Sequence, residues 1–94
     1  MSLFAVEYTY NPETSSGRDD HRTDHRAWLD ELVRRHVVRS MHPLADGSGA
    51  VIIVDAEDAD SVARLFRHDP FSLADLVENV RISEWTPPID EFSS

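Results

Sequence analysis

The run Ala50-Val51-Ile52-Ile53-Val54 has no polar position. A strand in a sheet with one solvated face alternates apolar with polar residues, so this run needs cover on both of its faces. It is too short for a membrane span. Any fold open to the chain must therefore place this strand inside a sheet and find two layers to cover it. The rest of the sequence offers helices for only one of those layers.

Leu3 to Tyr10 alternates, with Phe4, Val6, Tyr8 and Tyr10 on one side, and reads as a first strand; Leu3 and Ala5 make its other side partly apolar too. Asn11-Pro12 signals a turn, and Pro12 to Asp20, with Ser-Ser-Gly inside it, reads as a polar loop. The period then changes. His25, Trp28, Leu29, Leu32, Val33 and His36 recur at spacings of three and four, the stripe of a helix expected over about residues 20–35. Asp19 or Asp20 is its expected N-cap, and Arg34 and Arg35 suit its last turn. Val37 to Met41 is a short second strand ended by His42-Pro43, and Leu44 to Gly49 is a turn containing Asp46-Gly47, so this strand and Ala50 to Val54 form a hairpin. Asp55 to Asp58 looks like a helix start, and Ala59, Val62, Ala63 and Phe66 mark an amphipathic stripe. Pro70 stops that helix near Asp69, and Phe71 to Val77 reads as a further helical turn. Asn79 to Thr86 alternates as a last strand before Pro87-Pro88.

The order strand, helix, strand, strand, helix, strand is that of an α+β, ferredoxin-like βαββαβ domain, a four-stranded antiparallel sheet with both helices on one face. The whole of 1–94 reads as one domain, with an ordered core over about 1–88 and a C-terminal tail over 89–94. Since both sides of the first strand and of Ala50 to Val54 carry apolar residues, the sheet face without helices also needs cover. A second copy of the chain is the simplest cover, giving a homodimer through the open sheet face and a joint α/β barrel.

Composition narrows the chemistry. The chain has no cysteine and no lysine; all nine basic residues are Arg. Thiolate nucleophiles, Cys-ligated zinc and Schiff-base lysines are thereby excluded. A formal net charge of −9 argues against DNA or RNA as partner. Met1-Ser2-Leu3-Phe4 lacks the features of a signal peptide, and no apolar stretch suits a membrane, so a cytoplasmic location is the default expectation. No glycine-rich phosphate loop, Ser nucleophile elbow or nucleotide fingerprint is present, and no cofactor is expected.

His25 is the sharpest candidate for chemistry. It lies on the apolar stripe, so it points inward, and its expected place in the first half of the helix, together with burial, favours a neutral imidazole able to act as a base. Patterning alone favours a core histidine whose ring nitrogens are satisfied by neighbours. Asp69, at the end of the second helix before Pro70, is either a turn former or the carboxylate that orients His25. Arg22 suits an anionic group of a ligand, and Tyr8, Trp28 and Phe71 suit the wall of a pocket, although such residues are more often a solvated helix charge and plain core. His21 and His25 have the i, i+4 spacing of a metal pair, but no third ligand is marked, and no metal site is expected.

Three segments also carry a resemblance. Arg22-Thr-Asp-His25-Arg-Ala-Trp28-Leu29 resembles the R-x-x-H-x-x-aromatic-L segment of YciI-like (YCII-related) proteins, Asp69-Pro70-Phe71 resembles their D-P-F/Y segment, and Val80 to Trp85 resembles their last strand. The resemblance implies a ferredoxin-like dimeric α/β barrel similar to that of muconolactone isomerase. It also implies a cleft in which His25 and Asp69 form an acid–base pair. One branch of the family resembles dehydrochlorinases acting on chlorinated aromatic breakdown products. The chain departs from the pattern twice: His36 stands where the family has a glycine after the first helix, and His42 replaces a glycine before the proline that follows the second strand. A bulky group at 42 is expected to narrow the cleft or add a polar group to it. The expected function is a small enzyme using the His/Asp pair on a small organic substrate, with a non-catalytic module that binds a small molecule or a protein partner as the alternative.

Overall fold

A computed structural model describes residues 2–86. The elements run β1 (Ser2–Thr9), a 3-10 turn (Pro12–Thr14), α1 (Ser15–Arg34), β2 (Val38–Pro43), β3 (Gly49–Ala56), α2 (Ala59–Phe66), α3 (Pro70–Leu73) and β4 (Asn79–Glu84). The strands form one antiparallel sheet in the order β2-β3-β1-β4, the ferredoxin-like arrangement expected from the sequence. The expected tail over 89–94 and the Pro87-Pro88 stop lie outside the described residues. Among the described residues no helix is long and apolar enough to cross a membrane.

Strand register sorts the side chains. Phe4, Val6 and Tyr8 of β1 stand opposite Val54, Ile52 and Ala50 of β3, and this row faces the helices. Leu29 and Leu32 of α1 and Val62 and Phe66 of α2 pack onto it and are all but sealed from solvent. Each such side chain contributes about 1.5–3 kcal/mol of burial, which makes this layer the main source of stability.

The other face has an apolar centre and a charged rim. Ala5 and Ile53 pair across β1 and β3 at its middle, and Ile53 is only 5% exposed within the single chain. Around them lie the pairs Glu7–Arg81 at 3.7 Å and Arg39–Asp55 at 3.3 Å. The remaining oxygen of Asp55 is buried without a hydrogen-bond partner among the described residues.

Helix α1 begins well before the expected residue 20, and the segment read as a loop over Pro12 to Asp20 is helical beyond its first turn. Two local causes account for this. The Asn11 side chain accepts from the Glu13 N–H at 2.9 Å, and Pro12 fits the first position of the 3-10 turn, which runs directly into the helix. Gly17, a weak helix former, sits where a Cβ would lie 2.6 Å from the Leu76 side chain, so glycine allows α1 to lie close to the segment after α3. Asp19 and Asp20 are therefore interior helix residues rather than N-caps, and His25 lies in the middle of α1, away from the positive end of its dipole. Asp58 does cap α2, accepting from Ser61 N–H at 2.8 Å.

At its other end, α1 closes with paired backbone bonds, His36 N–H to Val33 at 3.0 Å and Val37 N–H to Leu32 at 2.9 Å. This closure needs a left-handed residue, and His36 adopts φ 60. The glycine expected by the resemblance is the residue that takes this conformation without strain. His36→Gly is expected to stabilise the fold by roughly 1 kcal/mol, because His36 is exposed and the substitution relieves a left-handed side chain. A higher urea midpoint at unchanged slope is the readout.

Candidate active site

Asp69 is fully buried, and its position follows from local sequence. Pro70 starts α3 with a fixed φ and no N–H, and Asp69 caps it by accepting from the Phe71 N–H at 2.9 Å. That bond turns the carboxylate inward. Oδ1 also meets His25 Nδ1 at 2.7 Å, and Oδ2 accepts from the Tyr8 hydroxyl at 2.6 Å. A carboxylate offers only acceptors, so the proton of the short contact belongs on His25 Nδ1. Burial, followed by the charge of Asp69, raises the Tyr8 pKa far above 10.0, which keeps the hydroxyl a donor.

The His25 ring is held in plane as well as in position. Phe71 stacks on it with a centroid separation of 3.8 Å and an interplanar angle of 2°. His25 is 7% exposed. Its Nε2 has no hydrogen-bond partner among the described residues, and the residue is on the wall of a cavity. This cavity, of about 270 Å³, lies between α1 and the β2–β3 hairpin and is lined among others by Tyr10, Arg18, Arg22, Met41 and Phe71. A second hollow of about 350 Å³, bordered by Phe66, Val80 and Ile82, is lined by none of the expected site residues.

The structure thus brings His25, Asp69 and Phe71 together, with Arg22 on the wall of the same cavity. Arg22 is exposed and paired with Asp19 at 3.0 Å. Tyr8 and Trp28 do not line the cavity: Tyr8 stands behind Asp69, and Trp28 packs edge-on against Phe66 at 5.2 Å. His42 does not narrow it either. In β2, Met41 and Pro43 border the cavity, while His42, between them, pairs with Val51 in the opposite row and contacts Ser40 Oγ at 3.0 Å. His21 bonds the Gly17 carbonyl at 2.9 Å, and no three potential metal ligands gather among the described residues.

Two cavity residues were not singled out from sequence. Tyr10 continues the β1 alternation that marks Tyr8, and Arg18 lies one turn before Arg22 and two before His25. The Arg18 signal was hidden by reading Pro12 to Asp20 as a loop, whereas Tyr10 was visible on the strand but gave no sign of facing a cavity. Burial and the nearby Asp69 charge push the Tyr10 pKa up to about 12, against the opposing pull of Arg18 and Arg22.

Tyr8 and Tyr10 are the chain's two tyrosines. Each holds its proton more tightly when folded than at the ordinary value of 10.0, so the stability this contributes is intact below pH 10 and is lost as pH rises through the folded values. In an alkaline titration, tyrosinate absorbance is expected to appear together with loss of far-ultraviolet helical signal, above pH 10. Ionisation of both rings near pH 10 in a folded chain contradicts their burial around Asp69.

Comparison with known proteins agrees with this architecture. Residues 2–86 match the YCII-related domain. No curated protein matches the chain. Among solved structures, the fold is similar to that of 5-chloro-2-hydroxyhydroquinone dehydrochlorinase (TftG) from Burkholderia phenoliruptrix AC1100 in complex with 2,5-dihydroxybenzoquinone, with a TM-score of 0.78 and 25% identity, covering 89% of this chain and 93% of that one. Because the family match runs from the first strand through the last, the chain belongs to the YCII-related family.

Proposed function

We propose that this protein is a small acid–base enzyme in which His25 Nε2 exchanges a proton with a small organic molecule held between α1 and the β2–β3 hairpin. The observation that carries this reading is the 2.7 Å contact from a fully buried carboxylate to Nδ1, with Nε2 left unpartnered at the cavity. Nδ1–H bonded to Asp69 leaves the Nε2 lone pair as the acceptor. The proton taken from a substrate C–H or O–H resides on the imidazolium, which Asp69 stabilises across the short contact. Returning that proton to another substrate atom completes an isomerisation. If an anionic leaving group departs with its bonding electrons instead, the step is an elimination, and the proton passes from His25 to water.

The similar dehydrochlorinase supports the second version, since its named reaction removes the elements of HCl. Phe71 holds the imidazole plane, and Arg22 contributes positive charge to the cavity wall. Tyr8 acts as a positioning residue through Asp69, and Trp28 serves the core.

Chloride release from 5-chloro-2-hydroxyhydroquinone is the first assay to run. With this or another accepted substrate, His25→Ala is expected to lower kcat/KM by about a hundredfold or more while the fold is retained. Asp69→Asn is expected to lower it comparably, because the ring then loses the acceptor that fixes its tautomer. Imidazole nitrogen NMR supplies a readout independent of substrate. The wild type should carry its proton on Nδ1 with Nε2 bare, and this signature should disappear in Asp69→Asn. Full turnover in His25→Ala sinks the reading and leaves a non-catalytic ligand-binding module in its place.

We also propose a homodimer through the open sheet face, where Ala5, Val51 and Ile53 form an apolar centre ringed by ion pairs. Light scattering should give twice the chain mass for the wild type and the single-chain mass for Val51→Glu. A wild-type monomer at micromolar concentration overturns this.

A further inference from the structure

Arg18 is buried, at 5% exposure, yet it has no carboxylate within ion-pairing distance among the described residues. Its Nη1 donates to Thr14 Oγ1 and, at 3.2 Å, to the Leu76 carbonyl, and its guanidinium lies 4.4 Å over the Tyr10 ring centroid. Both acceptors are neutral. The chain has 18 acidic residues, and Arg22, Arg34, Arg39 and Arg81 each hold one. Of the five Arg in no ion pair among the described residues, Arg26, Arg35, Arg64 and Arg67 are exposed and Arg18 alone is buried, the placement in which an unpaired charge is most costly.

A guanidinium has five N–H donors. The Nε and Nη2 donors of Arg18 make no hydrogen bond among the described residues. Arg18 itself borders the His25 cavity. Arg22 and Arg26 border the same cavity. In a chain of net charge −9, this concave surface is locally positive.

We infer that the substrate is a small organic anion, a carboxylate or an ionised phenol or enol, whose anionic oxygen is bound by Arg18. This deepens the acid–base reading above and rests on the cavity being the substrate site. Arg18 and His25 are separated by two helical turns, about 10 Å along the α1 axis, which the long arginine side chain partly closes. An anion held at Arg18 thus places the remainder of a small molecule toward Nε2. The planar guanidinium pairs with a carboxylate through two parallel bonds, and Tyr10 fixes its plane from behind.

The test uses benzoate and its neutral isostere benzamide, and it reads binding rather than turnover. Benzoate is expected to shift both the Arg18 Nε–H and the His25 ring resonances of the wild-type protein, whereas benzamide at equal concentration leaves them in place. Arg18→Gln should weaken benzoate binding about tenfold or more, the loss expected for a charged hydrogen-bond partner, and Arg22→Gln should weaken it less. If Arg18→Gln does not fold, the wild-type comparison and Arg18→Lys, which keeps the charge but loses the planar fork, decide the matter. Equal response to the two probes, or benzoate binding that ignores Arg18, overturns the inference while leaving His25 as a proton carrier untouched. If benzoate binds as expected but His25→Ala retains full turnover, the anion site stands and the acid–base reading falls.

Discussion

The carboxylate of Asp69 is the point at which the separate elements of this protein meet. It is fully buried and takes one donor from β1, one from α1 and one from α3. A buried carboxylate is tolerated only when such donors satisfy it, because its lost hydration is large. Removing any one donor leaves the others holding an under-satisfied charge. The strand, the long helix and the short helix are consequently fixed relative to one another by polar geometry, in addition to the apolar layer formed by Val6, Ile52, Leu29 and Val62.

The same constraint explains why the cavity has the composition it has. With Asp69 holding Nδ1 and Phe71 stacked against the imidazole, the ring has no freedom except to present Nε2 outward. Tyr10 packs edge-on to both Tyr8 and Phe71, so an aromatic layer separates the carboxylate from the cavity. The negative group thus remains behind the wall and the positive groups of α1 remain in front of it. Charge separation of this kind needs no additional element, since it follows from the helical spacing of Arg18, Arg22 and His25 on one helix.

Much of this was legible in the sequence. The doubly apolar run at Ala50 to Val54 and the order of periods lead to the sheet, and the stripe that includes His25 turns that residue inward. Asp69-Pro70 carries its own cap signal. What could not be read locally depended on distant contact. Ser15-Ser16-Gly17 has the composition of a loop, and it becomes helical because the chain after α3 returns to pack against Gly17 and accept a bond from Arg18. Misplacing the helix start hid Arg18 and assigned His25 a helix dipole that does not reach it. The meeting of Tyr8 with Asp69, 61 positions apart, was likewise beyond any periodicity. A tyrosine on a buried strand face gives no indication of which partner its hydroxyl will find.

A domain of this size has little stability to lose, and a buried His–Asp–Tyr cluster is a poor way to gain any. Apolar side chains of similar volume commonly serve a core as well as or better than buried ionisable groups, because they avoid the desolvation cost. Arg18 deepens the point, since its charge is buried without the compensation that Asp69 receives. The satisfied anion stands behind a wall from the unsatisfied cation, so the two do not neutralise each other. Packing alone gives no reason to keep both in a small core. The proposed site, with His25 and Arg18 on one cavity, would give a reason, because an anionic ligand would bring the missing counter-charge with it.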